Sequence, residues 1–239
     1  MSFIQRLTSR QKDIRRVIIE RTHRLGLSHL GSCFCAVDVI DAVYSNKKLK
    51  EKFVLSAGHS AMALYAVMET KGLLPAKVID TLHIHPDRDV KRGIEVSSGS
   101  LGQGLPIALG MALADRTRRI YCLVTDGECA EGSIWESLRV MKEQKVRNLT
   151  VMVVANGWAA YTAVDARDLL KRLRGFVAVV SVNGHDSAAL ASGIKEAIRK
   201  NAVLFAKTTP DQLPFLKGLA AHYHVMSAND HAVAMEALR

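Results

Sequence analysis

The sequence predicts an α/β fold, a doubly wound and mainly parallel sheet with helices on both faces. Two apolar runs, at 120–124 and 149–154, read as buried strands. Each ends in a turn dipeptide, Asp126-Gly127 and Asn156-Gly157, and a helical stretch over about 133–145 lies between them. Further on, strand patterns at 177–182 and 203–207 flank a helical pattern at about 187–200. This alternation is what a parallel sheet covered on both faces requires. A right-handed crossover would bring the loops after the first two strands to the carboxyl edge of the sheet, where open α/β folds bind ligands.

The elements follow in chain order. Thr8-x-x-Gln11 has the form of a capping box, and Ile14, Val17, Ile18 and Leu25 make a helical stripe that stops near Gly26. A helix over about 36–44 follows. Residues 53–55 form a short strand entering Gly58-His59, after which 61–71 is helical and ends at Gly72. Between 99 and 114 glycines open a loop and apolar residues continue it as a helix, which leaves backbone N–H groups facing an anion site. From about Thr208 the pattern weakens into a looped tail with a short helix over about 230–238. The reading is one domain over 1–207 and a tail over 208–239 that packs on the same domain or on a partner.

Composition narrows the function classes. At 239 residues and 49% hydrophobic content the chain has ample material for a core, and no Pro/Gly/Ser linker divides it. Its apolar stretches are short and interrupted, and the start lacks a signal-peptide pattern, so a cytoplasmic protein with no membrane association is expected. Cys33, Cys35, Cys122 and Cys129 lack paired zinc spacing and read as structural or incidental thiols. The net charge of +10 is carried by scattered pairs such as Arg15-Arg16, Lys47-Lys48, Arg118-Arg119 and Lys171-Arg172, while only 5% of residues are aromatic. That distribution argues for solvated helix faces and against a nucleic-acid groove. An anionic cofactor or phosphorylated substrate can still exploit the field.

Asp126 and Asn156 place a carboxylate and a carboxamide at two strand ends. A hard divalent cation takes such oxygens at roughly 2.0–2.1 Å and fills its remaining positions from water or phosphate. Both dipeptides are also ordinary turn signals, so the bland reading is a pair of turns. His29, His59, His85 and His222 fall outside any metal-like spacing, and taken alone each is a generic polar residue. Glu131 alone reads as a first-turn glutamate favoured by a helix dipole.

Residues 120–157 resemble the thiamine-diphosphate motif, which opens with Gly-Asp-Gly and closes with an Asn about thirty positions later. The stretch Asp126-Gly127-Glu128-Cys129-Ala130-Glu131-Gly132-Ser133-Ile134-Trp135-Glu136 is similar to the transketolase version, Asp-Gly-Glu-x-x-Glu-Gly-x-x-Trp-Glu. Other matches follow in the family's order: Ser28-His29-x-Gly31, Phe53-Val54-Leu55-Ser56-x-Gly58-His59, His85-Pro86, Gly99-x-Leu101-Gly102-Gln103-Gly104 and Gly184-His185-Asp186.

The resemblance implies a Mg²⁺-dependent (or Ca²⁺- or Mn²⁺-dependent) thiamine diphosphate enzyme that transfers a two-carbon ketol unit between sugars or sugar derivatives. It implies Asp126, Asn156 and the main-chain carbonyl of Trp158 as metal ligands. His59, Gly127 and Glu128 would lie at the diphosphate, and Gly99 and Leu101 at the aminopyrimidine. His29, His85 and His222 would face substrate, and Glu131 would belong to an acidic link between paired sites. Departures from the pattern touch the positioning loops: Thr125 stands for the motif's first glycine, Leu30 for the proline after the histidine, and Trp158-Ala159-Ala160-Tyr161 is more apolar than usual. A lyase or synthase on another keto substrate, or a non-catalytic cofactor-binding regulatory subunit, are the competing expectations. The family's pyrimidine-binding domain has no counterpart in this sequence. The expectation is therefore a split enzyme, completed by a separate pyrimidine-domain subunit, in an α2β2 hetero-oligomer.

Overall fold

A computed structural model of the chain describes residues 3–239. Helix α1 (Ser9–Arg24) starts at the expected capping box, with the Thr8 hydroxyl accepting from the Gln11 N–H at 3.3 Å and the Gln11 amide oxygen accepting from the Thr8 N–H at 3.1 Å. Helix α2 (Leu30–Asn46) begins six residues earlier than the sequence pattern suggested. It is buried almost all round, so no amphipathic stripe marks its start, and no side chain caps it. Strand β1 (Lys52–Leu55), helix α3 (Ala61–Thr70) and a single turn α4 (Ala76–Ile79) follow. Next come α5 (Gly104–Ala114), β2 (Ile120–Thr125), α6 (Gly132–Glu143) and β3 (Leu149–Ala155).

Helix α7 (Ala166–Phe176) has no counterpart in the sequence reading. Leu169, Leu170 and Leu173 form one buried face on a stretch otherwise rich in charge, and the Asp165 carboxylate caps it by accepting from the N–H groups of Arg167 (2.8 Å) and Asp168 (3.1 Å). The chain then runs through β4 (Val179–Asn183), α8 (Ser187–Lys200), β5 (Val203–Lys207), the short α9 (Ala220–Tyr223) and α10 (Ala228–Ala237), the last opened by a second capping box from Ser227 and Asp230.

The five strands among the described residues are all parallel, in the order β1-β2-β3-β5-β4. Their side chains divide between two cores by strict alternation. Phe53, Leu55, Tyr121, Leu123, Met152 and Val154 pack under α1, α2, α3 and α8, while Val54, Cys122, Val124, Val151, Val153 and Phe205 pack under α5, α6 and α7. The result is three layers.

Residues after Lys207 belong to the first of these cores. The buried Gln212 accepts from Arg15 Nε at 3.0 Å and donates to the carbonyls of Phe34 and Thr209. Helix α9 lies against the start of α2, so closely that a Cβ on Gly31 would stand 2.8 Å from that of Ala221. Leu238, after α10, is fully buried.

Candidate active site

The carboxyl ends of β1, β2 and β3 lie side by side, and the residues after each strand meet there. Asp126, one step past β2, is tied to the neighbouring strand by its N–H donating to the Val154 carbonyl at 3.0 Å. Its carboxylate accepts from the N–H of Gly127 at 3.0 Å and from the N–H of Gly157, beyond β3, at 2.7 Å. One side chain thus joins both turns. Burial pushes its pKa up to about 6, against the pull of the Gly157 and Gly127 N–H groups. Such a carboxylate gains from a nearby cation.

Asn156 turns its Oδ1 to the Trp158 N–H at 2.9 Å and its Nδ2 toward the Cys35 sulfur at 3.7 Å. A Cβ on Gly127 would lie 2.9 Å from Ala159 Cα and 3.3 Å from the Trp158 carbonyl oxygen, so this turn admits only glycine without displacing the loop, and the Trp158 carbonyl faces it. A carboxylate, a carboxamide and a carbonyl on adjoining turns are the oxygen types that a hard divalent cation takes when phosphate and water fill its other positions. Among the described residues no group of three or more His, Cys, Asp or Glu side chains is placed to hold a metal ion.

Beside these oxygens lies a cleft of about 220 Å³ in which His29, His59, His85 and His222 converge from four parts of the chain. His29 stands at the start of α2 with left-handed backbone (φ 68°, ψ 18°), an uncommon conformation for a residue with a Cβ. Its N–H donates to the His222 carbonyl at 3.0 Å and its Nδ1 lies 2.6 Å from the Ser28 hydroxyl. The His29 ring is 4.5 Å from that of His222, 5.7 Å from His59 and 6.2 Å from His85.

Burial, then the proximity of His222 and His85, lowers the His29 pKa to about 4, and burial with His222, His29 and His85 lowers that of His59 to about 3. Burial also lowers His222. These rings are therefore neutral near pH 7, each with one nitrogen donating and one accepting. Gly99 and Leu101 line the same cleft, and a Cβ on Gly99 would come within 3.0 Å of the His85 ring.

Two acidic residues singled out in the sequence lie elsewhere. Glu128 is fully buried beneath the cleft: its Oε1 accepts from the Gly102 N–H at 2.8 Å and from the Ser56 hydroxyl, while its Oε2 has no partner among the described residues. It braces the loop carrying Gly99 and Leu101 against the end of β1. Glu131 is exposed at the start of α6, with its stem against Gly102. Residues the sequence did not single out for a role also line the cleft, namely Ser32, Thr125, Ala159, Ala160 and Tyr223. Ser32 Oγ is 3.2 Å from His222 Nδ1, and the Tyr223 hydroxyl donates to the Ala160 carbonyl at 2.8 Å. Ser32 sits one turn into α2, where only the recognition of that helix's true start would have drawn notice to it.

Comparison with known proteins adds to this geometry. Residues 12–210 match the family described as the transketolase, thiamine diphosphate binding domain. The chain is 36% identical over 158 residues to ferredoxin fas2 of Rhodococcoides fascians, covering 61% of this chain and 51% of that protein. It is 31% identical over 212 residues to the 6-deoxy-6-sulfo-D-fructose transketolase subunit SqwG of Clostridium sp. (strain MSTE9), covering 78% and 77%. The transketolase structure from Campylobacter jejuni superposes with a TM-score of 0.83 at 20% identity, over 96% of this chain and 42% of that one. The chain thus spans about half of the first relative and less than half of the solved enzyme, and the structural likeness shows a shared fold.

Proposed function

The chain belongs to the transketolase family through its thiamine diphosphate binding domain, and from that premise we propose that it is the diphosphate-binding subunit of a split, two-carbon ketol transferase acting on sugars or sugar derivatives. The observation that carries this reading is the meeting of the Asp126 carboxylate, Asn156 and the Trp158 carbonyl at adjacent strand ends, beside the four-histidine cleft.

In this reading Asp126, Asn156 and the Trp158 carbonyl hold Mg²⁺, or Ca²⁺ or Mn²⁺ in its place. Gly127 would leave room for the diphosphate and His59 would help to hold it, while Gly99 and Leu101 would flank the aminopyrimidine. Thiamine diphosphate supplies the electron sink that C–C cleavage beside a ketose carbonyl requires. The chain's own side chains bind, orient and move protons. His29, with Nδ1 engaged by Ser28, keeps Nε2 as its free nitrogen, and His222 is likewise held at Nδ1 by Ser32. Beside His85, these rings are placed to exchange hydrogen bonds and protons with substrate hydroxyls. Glu128 acts as a positioning residue through Gly102, and the exposed Glu131 is available to a second chain.

The relative named as a transketolase subunit supports a partner that supplies the pyrimidine-binding domain. We propose two copies of each chain around a twofold axis, since homologous sites in such assemblies pair by symmetry. Four unpaired thiols fit a reducing compartment, and we place the protein in the cytoplasm. Among the described residues no helix is long and apolar enough to cross a membrane. Calorimetry of Mg²⁺-thiamine diphosphate with the partner present tests the reading. Asp126→Ala is expected to abolish metal-dependent cofactor binding in a folded chain, and retained affinity in that variant would sink it.

A further inference from the structure

The strands' amino ends carry a second cleft, at the edge opposite the histidines. It has a volume of about 790 Å³ and is formed by the three turns that lead into β1, β2 and β3. Lys48 and Lys50 come from the first turn, Arg116, Arg118 and Arg119 from the second, and Lys145 and Arg147 from the third. Only two carboxylates, Glu51 and Asp115, share the lining, so this cleft holds an excess of five positive charges, half of the chain's net +10. Cations dispersed along the sequence are gathered here by the sheet.

The two carboxylates are occupied in bracing the turns. Glu51 accepts from the Lys48 N–H at 2.8 Å and from the Tyr121 hydroxyl at 3.2 Å, and Asp115 accepts from Thr117 and pairs with Arg118 Nε at 3.3 Å. The buried Asn148 stiffens the arginine turn by donating its Nδ2 to the carbonyls of Ala112, Asp115 and Arg118 at 2.8 to 2.9 Å. Arg119 reaches the Arg147 carbonyl and Thr150, and Arg116 reaches the Gln144 carbonyl. Lys48, Lys50, Lys145 and Arg147 are exposed, with no side-chain partner among the described residues. Like charges held together on a stiff frame repel one another unless an anion enters, and a cleft lined by one sign concentrates counter-ions.

We propose that this amino-edge cleft binds a small ligand bearing two or more linked phosphates, at a site separate from the histidine cleft. Arginine forks suit bidentate contact with phosphate oxygens. The volume exceeds what one phosphate fills, and the lining has no aromatic ring on which the bases of a single strand would stack.

The test is calorimetry on the full chain with a chelator and no divalent metal, which silences the metal-dependent site. Tripolyphosphate is expected to bind once per chain, a nucleoside triphosphate to compete with it, and inorganic phosphate to bind far more weakly. The double variant Arg118→Gln/Arg147→Gln should lower tripolyphosphate affinity by roughly tenfold or more, and Asp126→Ala should leave it unchanged. If the first pair fails to fold, Lys48→Gln/Lys145→Gln removes two exposed, unpaired charges instead, with the same expectation. Absence of binding, insensitivity to a folded double variant, or loss in Asp126→Ala overturns the proposal. So does tighter binding of a short single-stranded oligonucleotide, which makes the surface one for nucleic acid.

Discussion

His29 and His59 are rings that their surroundings keep uncharged, the one with a pKa lowered to about 4 and the other to about 3, chiefly by burial. The sign of the consequence follows from linkage. Between an unfolded value of about 6.5 and these folded values the unfolded chain binds protons that the native chain refuses, so stability falls as pH drops through that window. NMR titration of the ring protons is expected to show neither residue protonating above about pH 5 in the folded chain. A midpoint near the unfolded value for either ring would contradict the environment described here. Neutrality at this depth is not legible from sequence, because no residue near His29 or His59 along the chain reports that four imidazoles converge. Asp126 and Asn156 are legible, since a turn dipeptide after an apolar run marks a strand end and the two runs share one crossover. Glu128 illustrates the limit: it adjoins Gly127 in sequence, yet its carboxylate turns to Gly102 and Ser56, partners 26 and 72 positions away.

The helices α1 and α2 and the segment after β5 are joined by a buried polar network that no local pattern announces. Arg15, wholly inside, donates through both terminal nitrogens to the Asp38 carboxylate and through Nε to Gln212. His185 lies 2.8 Å from Asp38 and accepts from the Thr209 N–H at 3.1 Å. Burial raises the Asp38 pKa, but the Arg15 guanidinium outweighs it and holds the group at about 2. An acid depressed in the folded state contributes stability above its unfolded value near 3.8 and loses it as pH falls through about 2. Asp38→Ala leaves Arg15 buried without a counter-charge, which typically costs about 3–5 kcal/mol. Urea unfolding at pH 7 is expected to show a loss of that order, whereas a midpoint within error of the parent chain would mean that the pair adds nothing. The periodic elements α1, α6 and α8 are readable because each shows the core one apolar face, and α3, buried along Ala61–Met68, is marked by its apolar run and the Gly72 that follows it. Helix α2 extends beyond its apolar pattern because it is buried on nearly every side, whereas the signals of α7 are present in the sequence, Leu169, Leu170 and Leu173 forming one apolar face behind the Asp165 cap.

The alternation of strand and helix along the whole chain indicated a parallel sheet, but the order β1-β2-β3-β5-β4 was not readable, since nothing in a strand's sequence says which neighbours it will take. That order puts the turns after β2 and β3 next to each other and opens the cleft toward the face where Tyr161 projects, 87% exposed, beside the half-exposed Tyr223. Aromatic side chains are enriched where another chain covers a surface. Tyr161 belongs to the apolar loop that begins at the proposed metal-binding carbonyl of Trp158, and Tyr223 follows His222 and holds the loop through Ala160. The loop carrying Trp158 and Tyr161 and the turn carrying His222 and Tyr223 thus share one surface. If the proposed split arrangement holds, the pyrimidine-domain subunit should bury this rim. Amide exchange over 157–163 should then slow on mixing, and ketol-transfer activity should rise with partner concentration to a stoichiometric plateau. Tyr161→Asp places a charge in that contact and should weaken assembly by about 1–3 kcal/mol. Because Tyr161 does not line the cleft, saturating partner should restore most of the turnover. Full activity of the pure chain without partner, or an unchanged assembly constant in the folded variant, would place the docking surface elsewhere.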